Sequence, residues 1–300
     1  MISSKEVKTY NNGTYKVSLY EDGTKIMESN SGEFKADFPD SLDIKITDYC
    51  NCNCNFCYEN SSNAGKHCDS DALLYKLSQL TEGIEVTLGG GNPLDHPDIC
   101  KIIKGIHDQG KTVSITVNEK SIDTEKINLL ISDGLGSIGI SPIPSLNRPI
   151  PLSQDKINIP IVYHFICGIH PIEQIKKYLN CGNRILILGF KQVGRGKNIN
   201  VKLDDYRSEL KRIKYEMTCF GKYKESVISF DNLAITQLDL RTSFTTKDWE
   251  KFYLGDDGSC SMYIDAVEGF YCKNSTLSKE KINTISWNNY KITDYFKKLC

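Results

Sequence analysis

The sequence predicts an α/β fold wound around a parallel sheet. Two observations carry this. Between residues 41 and 217, short β-branched runs alternate with segments whose apolar residues recur at helical spacing. About six such β–α units follow one another, and strand alternating with helix argues for parallel strands joined by right-handed crossovers. Six units in roughly 175 residues fall short of a full eight-fold barrel, so a partial barrel and an open doubly wound sheet both fit.

The elements follow in order. Residues 1–40 read as a small β element, with Tyr15 to Tyr20 and Thr24 to Met27 flanking the turn Glu21-Asp22-Gly23. Asn12-Gly13 offers a further turn and a third strand, and Phe38-Pro39 breaks the pattern. In the core, strands are predicted at Ser41–Thr47, Ile84–Leu88, Thr112–Val117, Ser137–Ser141, Pro160–Cys167 and Arg184–Gly189. Helices are predicted at Asp71–Leu80, His96–His107, Ile122–Ser132, Pro171–Leu179 and Leu203–Met217, two of them with Pro in or before the first turn. Residues 226–300 change character. Ser226–Phe230 and Ser261–Ile264 read as strands, Asp265–Cys272 as the rest of a hairpin, and Asn289–Leu299 as an amphipathic helix. The expected organisation is 1–40, a core at 41–225, and an α+β cap at 226–300.

Composition narrows the class. The 39% hydrophobic and 25% charged residues are those of an ordinary globular protein, and a net charge of −1 gives no overall pull toward nucleic acid or anionic membrane. No apolar run is long enough to span a bilayer. Met1-Ile2-Ser3-Ser4-Lys5-Glu6 has no apolar secretory region, so a cytoplasmic location is expected, and clustered cysteine there reads as metal binding or catalysis.

Of twelve cysteines, four fall at Cys50, Cys52, Cys54 and Cys57, directly after the first core strand. Soft thiolates at this density suit zinc or an iron–sulfur cluster. Cys50-x3-Cys54-x2-Cys57 puts three thiolates on one tight loop. Three protein ligands leave one iron of a four-iron cluster open, which is what catalysis needs. His67 and Cys68 are the local candidates for a fourth ligand. The alternative is a structural zinc knot using all four cysteines, although zinc sites usually come as two separated pairs.

Cys50-x3-Cys54-x-Phe56-Cys57 resembles the signature of the radical S-adenosylmethionine (SAM) enzymes, including the aromatic residue before the last cysteine. Gly89-Gly90-Gly91-Asn92-Pro93, after the second core strand, resembles their Gly-Gly-Glu-Pro motif, with Asn92 where Glu is usual. The resemblance covers about residues 41–200, and the whole chain also looks like compact members met in bacteriophages and their hosts. It implies a partial (βα)6 barrel. It also implies a [4Fe–4S] cluster on Cys50, Cys54 and Cys57, and SAM on the fourth iron. Reductive cleavage would then give a 5′-deoxyadenosyl radical that abstracts a substrate hydrogen, with the electron coming from an external flavodoxin- or ferredoxin-type donor.

By the same resemblance Phe56 would pack near the adenine, and Gly90 and Gly91 would let the backbone approach SAM. Asn92 would accept from the ammonium group without charge assistance. Asn118 and Ser141, at the ends of strands three and four, match family contact positions less specifically, and His164, Cys167 and Leu188–Lys191 would line the same face.

Other features have plainer readings. Gly194-Arg195-Gly196 reads as a flexible loop more readily than an anion cradle. His164 reads as a packed core histidine, and His67, His96, His107 and His170 as loop or helix-surface residues. Cys52 is a bystander pointing away from the cluster. Cys219, Cys260, Cys272 and Cys300 are the residues from which an auxiliary cluster would have to be built. Residues 191–225 hold ten Lys/Arg against five Asp/Glu with aromatics between them, which reads as a solvated helix. The expected substrate is a peptide or protein side chain. A nucleotide or RNA base is the alternative within enzymes, and a non-catalytic thiolate-metal module the alternative outside them.

Overall fold

The computed structural model describes residues 5–21, 23–152 and 156–299; Met1 to Ser4, Asp22 of the expected hairpin turn, and Cys300 lie outside the described residues. The N-terminal element is an antiparallel meander of β1 (Glu6–Asn12), β2 (Tyr15–Tyr20) and β3 (Lys25–Glu28), with the third strand that Asn12-Gly13 suggested. It docks on the core through a buried carboxylate. Asp40 accepts from the Asn12 amide at 2.6 Å, the Tyr15 hydroxyl at 2.5 Å and the Tyr10 hydroxyl at 3.1 Å. Three donors on one buried carboxylate satisfy it without a counter-cation.

The core follows the predicted rhythm. Its strands are β4 (Ser41–Thr47), β5 (Glu85–Gly90), β6 (Thr112–Asn118), β7 (Leu135–Ser141), β8 (Ile161–Ile166) and β9 (Arg184–Leu188). Between and after them run α1 (Ser70–Leu77), α2 (Ile99–Asp108), α3 (Thr124–Ser132), α4 (Ile172–Asn180) and α5 (Asp204–Phe220). Each strand from β4 to β9 pairs in parallel with the next. The outward residues pack on the helices. Leu42, Ile44 and Ile46 of β4, and Val113, Ile115 and Val117 of β6, are at most 1% exposed. Asp69 caps α1, accepting from the backbone N–H groups of Asp71 and Ala72, and Asp123 caps α3 from Lys126.

Residues 226–300 do more than cap this core. They contain β10 (Val227–Phe230), α6 (Asn232–Gln237), α7 (Thr246–Phe252), β11 (Ser261–Asp265), β12 (Phe270–Cys272), α8 (Ser275–Lys279), β13 (Ile285–Ser286) and α9 (Ile292–Leu299). The strand order is β10-β9-β8-β7-β6-β5-β4-β11-β12-β13. β10 extends the parallel sheet beyond β9, and β11 extends it beyond β4, Ser261 opposite Ser41. β12 and β13 finish that edge as antiparallel strands. The expected cap therefore also contributes four strands to the main sheet, a pairing between distant segments that leaves no local trace in sequence.

Side chains bridge the sheet's curved ends. Asn232, just after β10, donates to Asp257 at 2.8 Å, and Asn274 donates to the same carboxylate at 2.9 Å.

Candidate active site

The cysteine loop leaves the C-terminal end of β4, the end at which parallel sheets bind ligands. It is closed by backbone bonds. Asp48 N–H donates to Lys66, Cys50 N–H to Ser62 and Cys68 N–H to Ile46, at 2.8–2.9 Å. Cys50, Cys54 and Cys57 are half-buried and free. Among the described residues no three Cys, His, Asp or Glu side chains converge on one ion position.

Both candidate fourth ligands are engaged elsewhere. His67 Nδ1 lies 2.9 Å from the Thr47 hydroxyl, and Cys68 is buried 3.6 Å from His96 Nε2, with burial pushing its thiol up to about 12. Cys52 was expected to turn away. It is buried, its sulfur 3.2 Å from the Ser121 hydroxyl and close to Cys50. The Cys50 thiol holds Cys52 down to about 6, with Ser121 and Lys120 adding to the effect. Of the four residues considered for an auxiliary cluster, Cys219 is exposed on α5, Cys260 bonds the Leu254 carbonyl, and Cys272 is buried against Ile282. Cys300 is outside the described residues.

Three devices hold the loop. The first is the glycine turn. Gly91 N–H donates to Thr47 at 2.6 Å and Asn92 N–H to Tyr49 at 2.9 Å. Gly90 has φ +118°, a region side chains avoid, and a Cβ on Gly91 would fall on the Tyr49 carbonyl oxygen. The space these two glycines leave is thus filled by the cysteine loop itself. Gly89 is the one whose side-chain position is open, with nothing within 4 Å.

The second is Arg195. Its N–H donates to Cys57, its Nε to the Cys54 carbonyl and an Nη1 to the Ser61 carbonyl, at 2.8–2.9 Å. Gly194-Arg195-Gly196, expected as a flexible loop, is instead a clamp on both later cysteines. A single arginine flanked by glycines on the loop after β9 was the available signal.

The third is Lys45. Its ammonium lies 2.6 Å from Asp265, 3.0 Å from Asp48 and 3.6 Å from Glu59, and only 3% of its side chain is exposed. Tyr263 donates to Glu59 at 3.0 Å, and Lys279 donates to the Glu59 carbonyl at 2.6 Å. Asp48 and Glu59 bracket the loop, while Asp265 and Tyr263 sit on β11. The C-terminal strand is thereby tied to the cysteine loop. Burial works against the Lys45 charge, but the three carboxylates, Glu59 first, raise its pKa.

Beside the loop opens a cavity of about 620 Å³, lined by Asn53, Cys54, Asn55, Phe56, Asn118, Lys120, Ile143, Pro144, Gly168, Ile169 and Ile199. That size suits a nucleoside-sized ligand. Asn118 donates toward the Cys54 sulfur at 3.7 Å and accepts from Lys120 N–H at 3.0 Å. Ser141 is its register partner across the β6–β7 pair, but is not among the lining residues. Phe56 packs edge-on against His170. His170 and His96, expected at the surface, are buried. His170 bridges Pro142 O at 2.9 Å and Ile166 N–H at 2.9 Å, and burial lowers its pKa, keeping it neutral. Cys167 is also buried, bonded to Gln237 and away from this face.

Asn92 is 1% exposed, and neither polar atom of its amide has a partner. An unpaired buried amide is costly and calls for a ligand.

A sequence profile described as "Radical SAM superfamily" matches residues 44–177, a span that contains the cysteine loop and the glycine turn. That segment, a little under half of the chain, matches the radical SAM superfamily. Members of this superfamily use a [4Fe–4S] cluster on three cysteines together with SAM. The residues present fit both groups: three free thiols on one loop, Cys54 lining a nucleoside-sized cavity, and an unpartnered amide at the glycine turn.

A relative named as a probable GTP 3′,8-cyclase from Methanocaldococcus jannaschii is 31% identical over 167 residues, which are 54% of this chain and 51% of that protein. The chain thus matches about half the length of this relative. SuiB from Streptococcus suis has the same fold at 12% identity, with a TM-score of 0.69 over 98% of this chain and 87% of SuiB. SuiB bound to its precursor peptide SuiA gives 0.65 at 14% identity, over 87% of this chain and 65% of that one. The structure of anSMEcpe with bound AdoMet and the Cp18Cys peptide gives 0.57 at 13% identity, over 86% and 80%. At these identities the likeness is one of fold.

Proposed function

We propose that the chain is a radical SAM enzyme acting on a peptide or protein side chain. Cys50, Cys54 and Cys57 would hold the cluster. Phe56, Asn118 and the apolar wall at Ile143 and Ile169 would take the adenosine end of SAM, and Asn92 the amino end. When bound, these groups supply reductive cleavage of SAM and hydrogen abstraction from substrate.

The chain's own residues do the rest. Arg195 and Lys45 fix the loop so that three thiolates meet the cluster together. The buried, neutral His170 backs the Phe56 ring without adding charge. Ile143, Pro144 and Ile169 shed water from the cavity, which protects reactive species from side reactions. The observation that carries the assignment is the set of three free, half-buried thiols on one loop, with Cys54 lining a nucleoside-sized cavity.

The peptide reading draws support from the fold shared with SuiB and anSMEcpe, both solved with peptides, over most of this chain. The nucleotide reading has the GTP cyclase relative behind it, matched over about half of each protein. The basic segment adds little to it, since Arg207, Arg212 and Lys222 pair with acids within or just after α5.

Anaerobically reconstituted protein with SAM and dithionite is expected to release 5′-deoxyadenosine, and Cys54→Ala to fall to background. Full turnover by that variant would refute the assignment. Deuterium carried into 5′-deoxyadenosine from a deuterated peptide pool would mark the substrate as peptide, and transfer from deuterated GTP instead would overturn that part.

A further inference from the structure

The face of the sheet turned away from the helices is polar along β4, β5 and β6. Asp43, Thr87, Ser114 and Thr116 lie on it, all partly or largely accessible, and His164 follows on β8 between the apolar Val162 and Ile166. Their neighbours on the same strands are the buried core. Thr87 and Ser114 hydroxyls lie 2.9 Å apart across the β5–β6 pair. The His164 ring lies over Gly139 of β7, where a Cβ would strike its Cε1 and Nε2, and the Thr116 hydroxyl borders the same space. Gly139 is thus what lets the imidazole lie flat along the wall.

Two of these groups lack partners. Among the described residues, Asp43 accepts no hydrogen bond and has no cation within 4 Å, and His164 has no hydrogen bond. His164 is held down to about 4 by desolvation alone, so it is a neutral imidazole at physiological pH. Asp43 is reachable by solvent yet ringed by protein. Desolvation raises its pKa, Lys191 opposes this, and Asp257 and Asp231 add to it.

The neighbouring charges are already engaged. Lys191 donates to the Ser275 hydroxyl at 2.6 Å and sits 4.0 Å over the Tyr58 ring. Asp231 accepts from Gly189 and Ala234 N–H groups at 2.8 and 2.7 Å, and Asp257 from the Asn232 and Asn274 amides. Three carboxylates face one ammonium, and only Asp43 has no bond to give up. An unpaired carboxylate so placed attracts a cation and disfavours a second carboxylate.

We propose that Asp43 determines substrate specificity, binding the ammonium or guanidinium end of a side chain that reaches this face of the sheet, with His164 of β8 as a hydrogen-bonding group on the same face. This rests on the reading that a peptide side chain is the substrate, but its test does not need turnover. The probes are n-butylammonium, n-butylguanidinium and butyrate, each titrated into the full-length chain. The readout is the His164 imidazole proton signal, one of five histidines, assigned through His164→Gln.

The two cations are expected to move this signal saturably and butyrate to leave it in place. Asp43→Asn, nearly isosteric, is expected to weaken cation binding by about tenfold or more, as for loss of a charged hydrogen-bond partner. Asp43→Lys is expected to reverse the preference toward butyrate. Should Asp43→Asn misfold, the comparison of cation with butyrate on the natural chain decides alone. Equal response to butyrate, no response to any probe, or unchanged cation binding in folded Asp43→Asn overturns the proposal. Failure to cleave SAM would strike the enzyme assignment and leave these titrations as they stand.

Discussion

Lys45→Met is expected to lower the stability of the chain by about 3–5 kcal/mol, the usual cost of leaving buried charges without their partner. The ammonium meets Asp48, Glu59 and Asp265 within 4.0 Å, and the Lys45 and Glu59 side chains are each only 3% exposed. Methionine keeps the length of the stem and removes the charge, so Glu59 and Asp265 would face each other across a poorly hydrated space. The loss is against a total of about 5–15 kcal/mol for a domain. Because the pKa of Lys45 is raised in the folded chain, its contribution is complete below the unfolded value of about 10.4 and fades only as pH rises through the folded one.

Urea unfolding measures the effect, with Lys104→Met as control. Lys104 pairs with Asp108 at 3.3 Å, but its side chain is 62% exposed, and such pairs contribute little. A Lys45→Met chain as stable as the control would mean that the cage does not hold the loop.

Gly91→Ala is expected to cost about 1–3 kcal/mol through forced overpacking and to prevent stable iron incorporation. The added methyl would collide with the Tyr49 carbonyl, which is backbone and cannot step aside without moving Cys50. Gly89→Ala makes the contrast. Nothing lies within 4 Å of its side-chain position, so folding and iron content should match the natural chain. If the open side of Gly89 faces bound SAM, SAM affinity falls while the melting temperature stays. Normal iron loading by Gly91→Ala would show that the glycine turn does not position the cysteine loop.

Much of this was legible because the signals are local. The alternation Leu42-Asp43-Ile44-Lys45-Ile46 states both the strand and its two faces. The cysteine spacing and Gly89-Gly90-Gly91-Asn92-Pro93 mark the ends of two adjacent strands. What was hidden depends on contacts between distant segments. Nothing near Ser261 says that it lies beside Ser41, so the last quarter of the chain read as a cap when part of it is sheet. Arg195 is 138 positions beyond Cys57, and a Gly-Arg-Gly turn looks the same whether it is free or clamped. His96 and His170 fall at loop and helix-start positions that usually face water, and only tertiary packing buries them. Asp43 and Lys45 stand as charges on one face of that strand, and only the fold shows what each of them meets.

The most direct test of the account is iron and sulfide analysis with electron paramagnetic resonance of the dithionite-reduced protein, comparing the natural chain, Cys52→Ala and Cys54→Ala. A three-cysteine site predicts about four irons and four sulfides per chain. It also predicts a reduced-cluster signal that changes when SAM is added, both retained by Cys52→Ala and lost by Cys54→Ala. One zinc without sulfide, or equal loss on removing Cys52 and Cys54, would contradict it.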